Sequence, residues 1–449
     1  MKALILFGFL LPGLLFAWER TYGTTEFNEY ATCLTQTEDS GYIVLGNIWT
    51  NETPGKIWLV KTDKYGYMEW EKKFDYNGYN YRGINLKRTS DGYIIIGHTS
   101  NGAYYDIYIL KLDNNAEKIW DKTLYKDKGE LGVNIFPMEN EYIIAGCTSS
   151  IGAGEYDIYL ARIDSIGNLI WEKTYGDEHS NINHSTKRTN DNCFIISGAT
   201  DYGSNNWDTN IIKVDINGEK IFDKRYGGNI WDRCYDICQL KDSSYVATGN
   251  SDNSFWVLKL DVSGDKLWEK FYKEEGEGKV VTQADDGNII IGGSIWKSSN
   301  PSNLYILCVD LNGEVLWEKE FGDSNTKESP FCIDFISDGY ILGGDKSQGE
   351  CTETITDLYL LKVDKQGRSG FSSYVSAKSL PSPSLSISPN PFSNRLSLSL
   401  PSSGAIYSLT GQLIMKMDKG KHELDTSKWK QGVYIVKSGM ESKRIVKVK

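Results

Sequence analysis

Seven aspartates open the same short pattern, Asp-x-x-Gly-x-x-x-Trp, with Phe admitted for Trp and one Ala for Gly. They are Asp63, Asp113, Asp164, Asp215, Asp261, Asp310 and Asp364, and their carboxylates are the first groups here whose spacing suggests chemistry. Asn115, Asn217 and Asn312 stand two places after an Asp, as oxygen ligands do in a calcium loop. Such a loop also needs a Glu at its twelfth position, where these copies have Leu124, Tyr226 and Phe321, so a structural turn is the better reading. The Asp accepts hydrogen bonds from backbone N–H groups two residues on, and the Gly takes the positive φ that closes a hairpin. Ala116 fills the Gly position of the second copy, which moves the expected left-handed residue to Asn115.

Other reactive side chains are sparse. No His-Glu-x-x-His, nucleophile elbow or phosphate loop occurs. His98, His179 and His184 are expected in or beside loops, where a lone His is more often solvated than a metal ligand, and His422 lies near the C-terminus. Aligning the first strand of each repeat at one site gives Cys33, Asn85, Asn134, Ser185, Ile237, Val280 and Cys332, with no acid among them. These residues support no catalytic set, no metal and no cofactor. Aromatic rings are the richer signal: Trp49, Tyr104, Tyr105, Trp207, Trp231 and Trp296 fall in connecting segments on one expected face, with Asn205 and Asn206 beside Trp207. Flat rings next to amide donors suit a glycan or a protein partner, against the plainer alternative that they pack their own loops.

The elements that must position these residues repeat with the pattern. Counting Trp18, the aromatic landmarks are 52, 50, 51, 51, 46, 49 and 54 residues apart, the period of a solenoid or propeller. Repeat two predicts strands at 83–89, 93–98, 106–111 and 118–123, separated by Gly- and Asp-rich turns, hence an all-β unit of four strands. Seven complete triplets of strands end at Val363, and only a weak segment around Phe371 follows. Trp18–Tyr22 is an outer strand with no triplet before it. The economical fold is a seven-bladed β-propeller whose last blade is completed by that N-terminal strand, which removes exposed sheet edges.

The net charge of −11 argues against nucleic acid as a partner, because phosphate binding needs an excess of Lys and Arg. From residue 383 onward there are 11 Lys and Arg against 4 Asp and Glu, so the tail is basic and the body acidic. Lys2 followed by an apolar run to Ala17 has the length of a secretory signal, with cleavage expected before Trp18, and no later segment reaches membrane-spanning length. Eight cysteines in an exported chain leave disulfides open, including a staple between Cys33 and Cys332. Cys234 and Cys238, four apart on one strand, are expected to face the same side and not to bridge. Residues 372–387 read as a Ser- and Pro-rich linker.

The repeated hairpin resembles that of quinoprotein-dehydrogenase-like propellers and of the tandem propeller repeats of secreted bacterial proteins, over roughly residues 18–371. Enzymes of that class hold their cofactor beside a vicinal cysteine pair, and no two cysteines are adjacent here. Beyond the linker, Pro389-Asn390-Pro391-Phe392, a Tyr-x-Leu-x-Gly stretch ending at Gly411, Gly432-Val433-Tyr434 and a basic end resemble the type A C-terminal sorting domain of the type IX secretion system. That resemblance implies a small β-sandwich over residues 388–449, engagement of the type IX machinery, and a secreted or outer-membrane surface location. The leading expectation is an exported binding or adhesion module. A secreted propeller-fold hydrolase or lyase acting on extracellular polysaccharide is the alternative, and a structural surface-layer component a third reading.

Overall fold

The structure is a computed structural model describing residues 17–447, apart from 25, 76–77, 101, 103, 204–205, 229–230, 298–299, 323–325, 349–354, 370–385, 389–393, 401–402, 409–412, 419 and 439–440. The expected leader up to residue 16, Phe371, nearly all of the linker, Asn205, Pro389 to Phe392 and Gly411 therefore lie outside the described residues. No helix occurs among the described residues, and the chain divides into two compact units at residues 374 and 375.

The first unit holds seven four-stranded antiparallel sheets. Asn28–Gln36, Tyr42–Trp49, Lys56–Thr62 and Met68–Phe74 form the first, in sequence order. The next five follow the same plan, their first strands being Asn80–Thr89, Glu130–Pro137, Ser180–Arg188, Asp232–Gln239 and Gly276–Gln283. In the seventh, Thr326–Ile336, Gly339–Gln348 and Thr356–Asp364 are joined by Trp18–Tyr22, which runs antiparallel to Thr356–Asp364 with Trp18 opposite Lys362 and Thr21 opposite Tyr359. Repeat two lies close to its expected bounds, at Asn80–Thr89, Gly92–Ser100, Tyr105–Asp113 and Lys118–Leu124.

The continuous apolar runs have a direct cause. Ile94, Ile95 and Ile96 are fully buried because both faces of their sheet are covered: Ile95 joins a cluster with Leu45 and Leu59 of the first sheet, and Ile94 and Ile96 join one with Ile144 and Tyr159 of the third. Each such side chain contributes about 1.5–3 kcal/mol by leaving water. Every consecutive pair of sheets shares a cluster of this kind, and Trp18, Leu358 and Leu360 share one with Tyr42 and Val44 of the first sheet.

Each first strand shifts register by one residue at an equivalent place: before Cys33, Asn85, Asn134, Ser185, Asp236, Val280 and Cys332. Two sequence expectations fail on this shift, because an extra residue in a strand reverses the faces beyond it. The fifth-sheet residue equivalent to Cys33 is Asp236 and not Ile237, so the aligned set does contain an acid. Cys234 and Cys238 likewise face opposite ways, Cys234 packing with Ile195 and Ile211 of the fourth sheet and Cys238 with Val281 and Ile291 of the sixth. All seven described cysteines, Cys33 and Cys332 included, are free thiols.

The turn aspartates build turns. In all seven, one carboxylate oxygen accepts the backbone N–H groups two and four residues on; for Asp63 these are Tyr65 and Tyr67, at 2.9 and 2.8 Å. Ala116 itself takes the left-handed conformation, at φ +56, so the expectation for Asn115 is wrong: the turn geometry outweighs the Cβ penalty of about 1–2 kcal/mol.

The second unit comprises a three-stranded sheet, with strands Ser386–Ser388, Arg395–Leu400 and Gly420–Asp425, and a four-stranded sheet formed by Gly404–Ser408, Leu413–Met417, Gly432–Ser438 and Glu441–Lys447. Leu396, Leu398 and Leu400 of the first pack with Ile406, Tyr434 and Val436 of the second around one core.

Candidate functional site

The structure brings together two of the six aromatic residues picked from sequence. Trp231 precedes the first strand of the fifth sheet, and Trp207 opens the third strand of the fourth, so adjacent sheets deliver them to one edge. Their ring centroids are 6.2 Å apart with planes 29° from parallel, and the Arg233 guanidinium carbon lies 4.1 Å from each centroid. Trp231 keeps 37% of its surface exposed. Asp208 and Asp232, each one residue on from a clamp Trp, turn toward each other: a Cβ on Gly227 would lie 2.4 Å from Asp208 Oδ1 and 3.0 Å from Asp232 Oδ2. Burial raises the pKa of both carboxyls, and for Asp208 the neighbouring Asp232 charge adds to it.

Next to the clamp, the first strands of the fourth to sixth sheets bring up His184, Tyr235, Glu277 and Lys279. The Lys279 ammonium sits 3.8 Å from the Tyr235 ring centroid and 2.9 Å from Glu277 Oε1, and the His184 ring is 5.3 Å from that of Tyr235. His184 Nδ1 is 2.7 Å from the Cys234 carbonyl. Burial, reinforced by the Arg233 and Lys279 charges, holds the His184 pKa down at about 4, so its ring is neutral near pH 7 and Nδ1 donates.

The remaining candidates stand apart. Tyr104 and Tyr105 are exposed, and Tyr105 meets the ring of His98 at 4.9 Å. Trp49 and Trp296 are half-buried at the ends of their strands. His98 lies in a strand and not in the loop expected for it, and His184, expected beside a loop, lies within the strand Ser180–Arg188; His98 is buried, and burial with the nearby Arg82 charge lowers its pKa to about 4. Among the described residues no group of three or more His, Cys, Asp or Glu could hold a metal ion. A cleft of about 500 Å³ opens between the third and fourth sheets, lined by Ile151, Glu172, Tyr175 and Lys220 among others, and none of the six aromatic candidates lines it.

Asp236 is the residue that the alignment missed. It is buried, and it accepts hydrogen bonds from Ser185 Oγ at 2.6 Å and from the Val281 amide of the next sheet at 3.0 Å, with Lys187 Nζ at 3.1 Å. Asn134 does the same for the Thr186 amide, at 2.8 Å. These groups stitch neighbouring first strands together. A second missed set is a repeated ion pair beneath the turns, in which Lys61, Lys111, Lys213 and Lys362 reach Asp39, Asp91, Asp191 and Asp338 at 2.6–2.9 Å, and Arg162 reaches Glu141. Its sequence signal was available: a cation two residues before the turn Asp in six repeats, with Cys308 in the sixth position.

Residues 386–448 match the family model of the secretion system C-terminal sorting domain. The sorting domain marks this protein for export by the type IX system to the secreted or cell-surface compartment. Within it, Tyr434 is buried against Trp429, with its hydroxyl on the Lys430 carbonyl at 2.7 Å, and Gly432 opens the same strand. Residues 284–315, across the second and third strands of the sixth sheet, match the model of a β-propeller domain of unknown function, DUF5122. The repeated four-stranded sheets are consistent with that fold. No curated protein matches the chain. Among solved structures, puromycin hydrolase is 12% identical with a TM-score of 0.50, over 83% of this chain and 59% of the hydrolase, a likeness of fold. A Bacteroides caccae protein of unknown function is 13% identical (TM-score 0.39, 62% of this chain, 92% of that one). An inactive virginiamycin B lyase variant from Staphylococcus aureus is also 13% identical (TM-score 0.46, 77% and 99%).

Proposed function

We propose that this protein is an exported seven-bladed β-propeller, closed into a ring by its Trp18–Tyr22 strand, that acts as a binding or adhesion module at or beyond the cell surface. The observation that carries the binding role is the Trp207–Arg233–Trp231 clamp: stacked, partly exposed rings at the edge of rigid sheets, where scaffolds of this type carry recognition. The test is a glycan and protein binding screen on the exported protein, repeated with Trp231→Ala and with Trp296→Ala. A signal lost with Trp231→Ala and kept with Trp296→Ala supports the clamp; a signal unchanged in both contradicts it.

One observation favours the alternative, a secreted hydrolase or lyase acting on polysaccharide: Ser185 and Lys187 both lie within hydrogen-bonding reach of Asp236. The geometry weighs toward structure instead. Asp236 is buried, with one oxygen held by Ser185 and Lys187 and the other by a backbone amide, which leaves little capacity for a substrate proton.

A further inference from the structure

We infer that the Trp207–Arg233–Trp231 clamp binds a carboxylated polysaccharide, a uronic acid chain, with Arg233 receiving the carboxylate and Trp231 stacking on the sugar ring. This rests on the binding-module reading and names its ligand class. Two half-buried arginines of the first unit, Arg20 and Arg233, make no ion pair among the described residues; each lies over two aromatic rings, and for Arg233 both are Trp rings of the clamp. Lys61, Lys111, Arg162, Lys213, Arg225 and Lys362 each meet a carboxylate of the protein itself. Arg233 is half-buried, makes no ion pair among the described residues, and has an Nε that is buried without a hydrogen-bond partner. Two indole faces hold its charge in place without neutralising it.

The acids around the clamp make no ion pair with it among the described residues. Asp208 and Asp232 converge on each other over Gly227, and Glu277 is occupied by Lys279. With Lys279 held by Glu277, Arg233 is the cation of this edge without a carboxylate partner among the described residues. A planar guanidinium presents a fork of donors matched to a carboxylate. Trp231, 37% exposed, offers apolar surface for the C–H face of a pyranose, while a bare inorganic anion would use the cation and leave the ring idle. The sorting domain marks the protein for the secreted or cell-surface compartment, where an extracellular polymer can reach this edge.

The experiment titrates the full exported protein with polygalacturonate oligomers and with the same oligomers methyl-esterified, following tryptophan fluorescence and calorimetry at low and high salt. The acid form is expected to bind, with affinity falling as salt rises. Esterification and Arg233→Met, which keeps apolar bulk between the rings, should each weaken binding on the order of tenfold or more. Trp231→Ala should weaken the ester as well as the acid. Equal binding of acid and ester, or full binding by a folded Arg233→Met protein, overturns the carboxylate assignment while leaving a binding clamp intact. Absence of binding by acid, ester and neutral oligosaccharides alike overturns both the assignment and the glycan-binding form of the function.

Discussion

Glu29 shows how one side chain records its place in the fold. It sits in the first strand of the first sheet with no surface exposed, and its Oε2 has no hydrogen-bond partner. Burial, with the Asp357 charge of the seventh sheet adding to it, raises its pKa from 4.5 to about 8. A carboxyl that ionises less readily when folded stabilises the fold below its unfolded pKa, and that contribution drains away as pH rises from about 4.5 through about 8. Glu29→Gln should remove this dependence: urea midpoints between pH 5 and 9 are expected to fall with pH more steeply in the parent than in the variant, and parallel curves would contradict the assignment. Single residues were also where sequence reading was weakest. The turn role of the seven aspartates was legible because one carboxylate in that pattern has few alternatives to its own backbone. Asp236 was not, because one extra residue in its strand changes which side chain faces the neighbouring sheet, and nothing in the strand Asp232–Gln239 marks where that residue falls. Arg233 was passed over because an Arg beside an Asp in a strand looks like an ordinary solvated or paired charge.

At the scale of elements, the repeat works as an interlocking clasp. The fourth strand of one sheet lays its Trp and Tyr across the turn of the next. Tyr22, Tyr175 and Tyr272 donate to the carbonyls of Gly66, Gly218 and Gly313 at 2.5, 2.7 and 2.9 Å, and Lys72, Lys173 and Lys270 pair with Glu117, Glu219 and Glu314 at 2.5–2.7 Å. Gly218 is needed twice over, since its φ is +76 and a Cβ there would lie 2.9 Å from the Tyr175 hydroxyl and 3.1 Å from the Trp171 ring. Gly218→Ala should cost about 1–3 kcal/mol from left-handed strain and crowding. Equilibrium denaturation checks this, and a loss under about 0.5 kcal/mol, the range of a neutral surface change, would show that the clasp yields freely. Strand existence and spacing were legible from the sequence, because Asp, Gly and Trp recur where turns and outer strands must begin. The positions of the register shifts were not, since they depend on contacts between sheets.

At the scale of the whole molecule, the chain meets itself where its N-terminal strand joins the seventh sheet. Seven clusters of buried side chains join successive sheets, and one of them spans the N-terminal strand, the seventh sheet and the first. The pairing of Trp18–Tyr22 with Thr356–Asp364 could be anticipated from an outer strand without a triplet and a last triplet without an outer strand. The proposed ligand class was not legible at this scale, because a series of similar sheets is compatible with many loop chemistries and the clamp arises from three residues in two sheets. The most direct test is amide hydrogen exchange across residues 358–362, comparing a protein that begins at Trp18 with one lacking residues 18–22. Those amides should be protected in the first and exchange much faster in the second, with loosening spread into the first and seventh sheets. Equal protection in the two proteins would mean that the N-terminal strand does not close the ring.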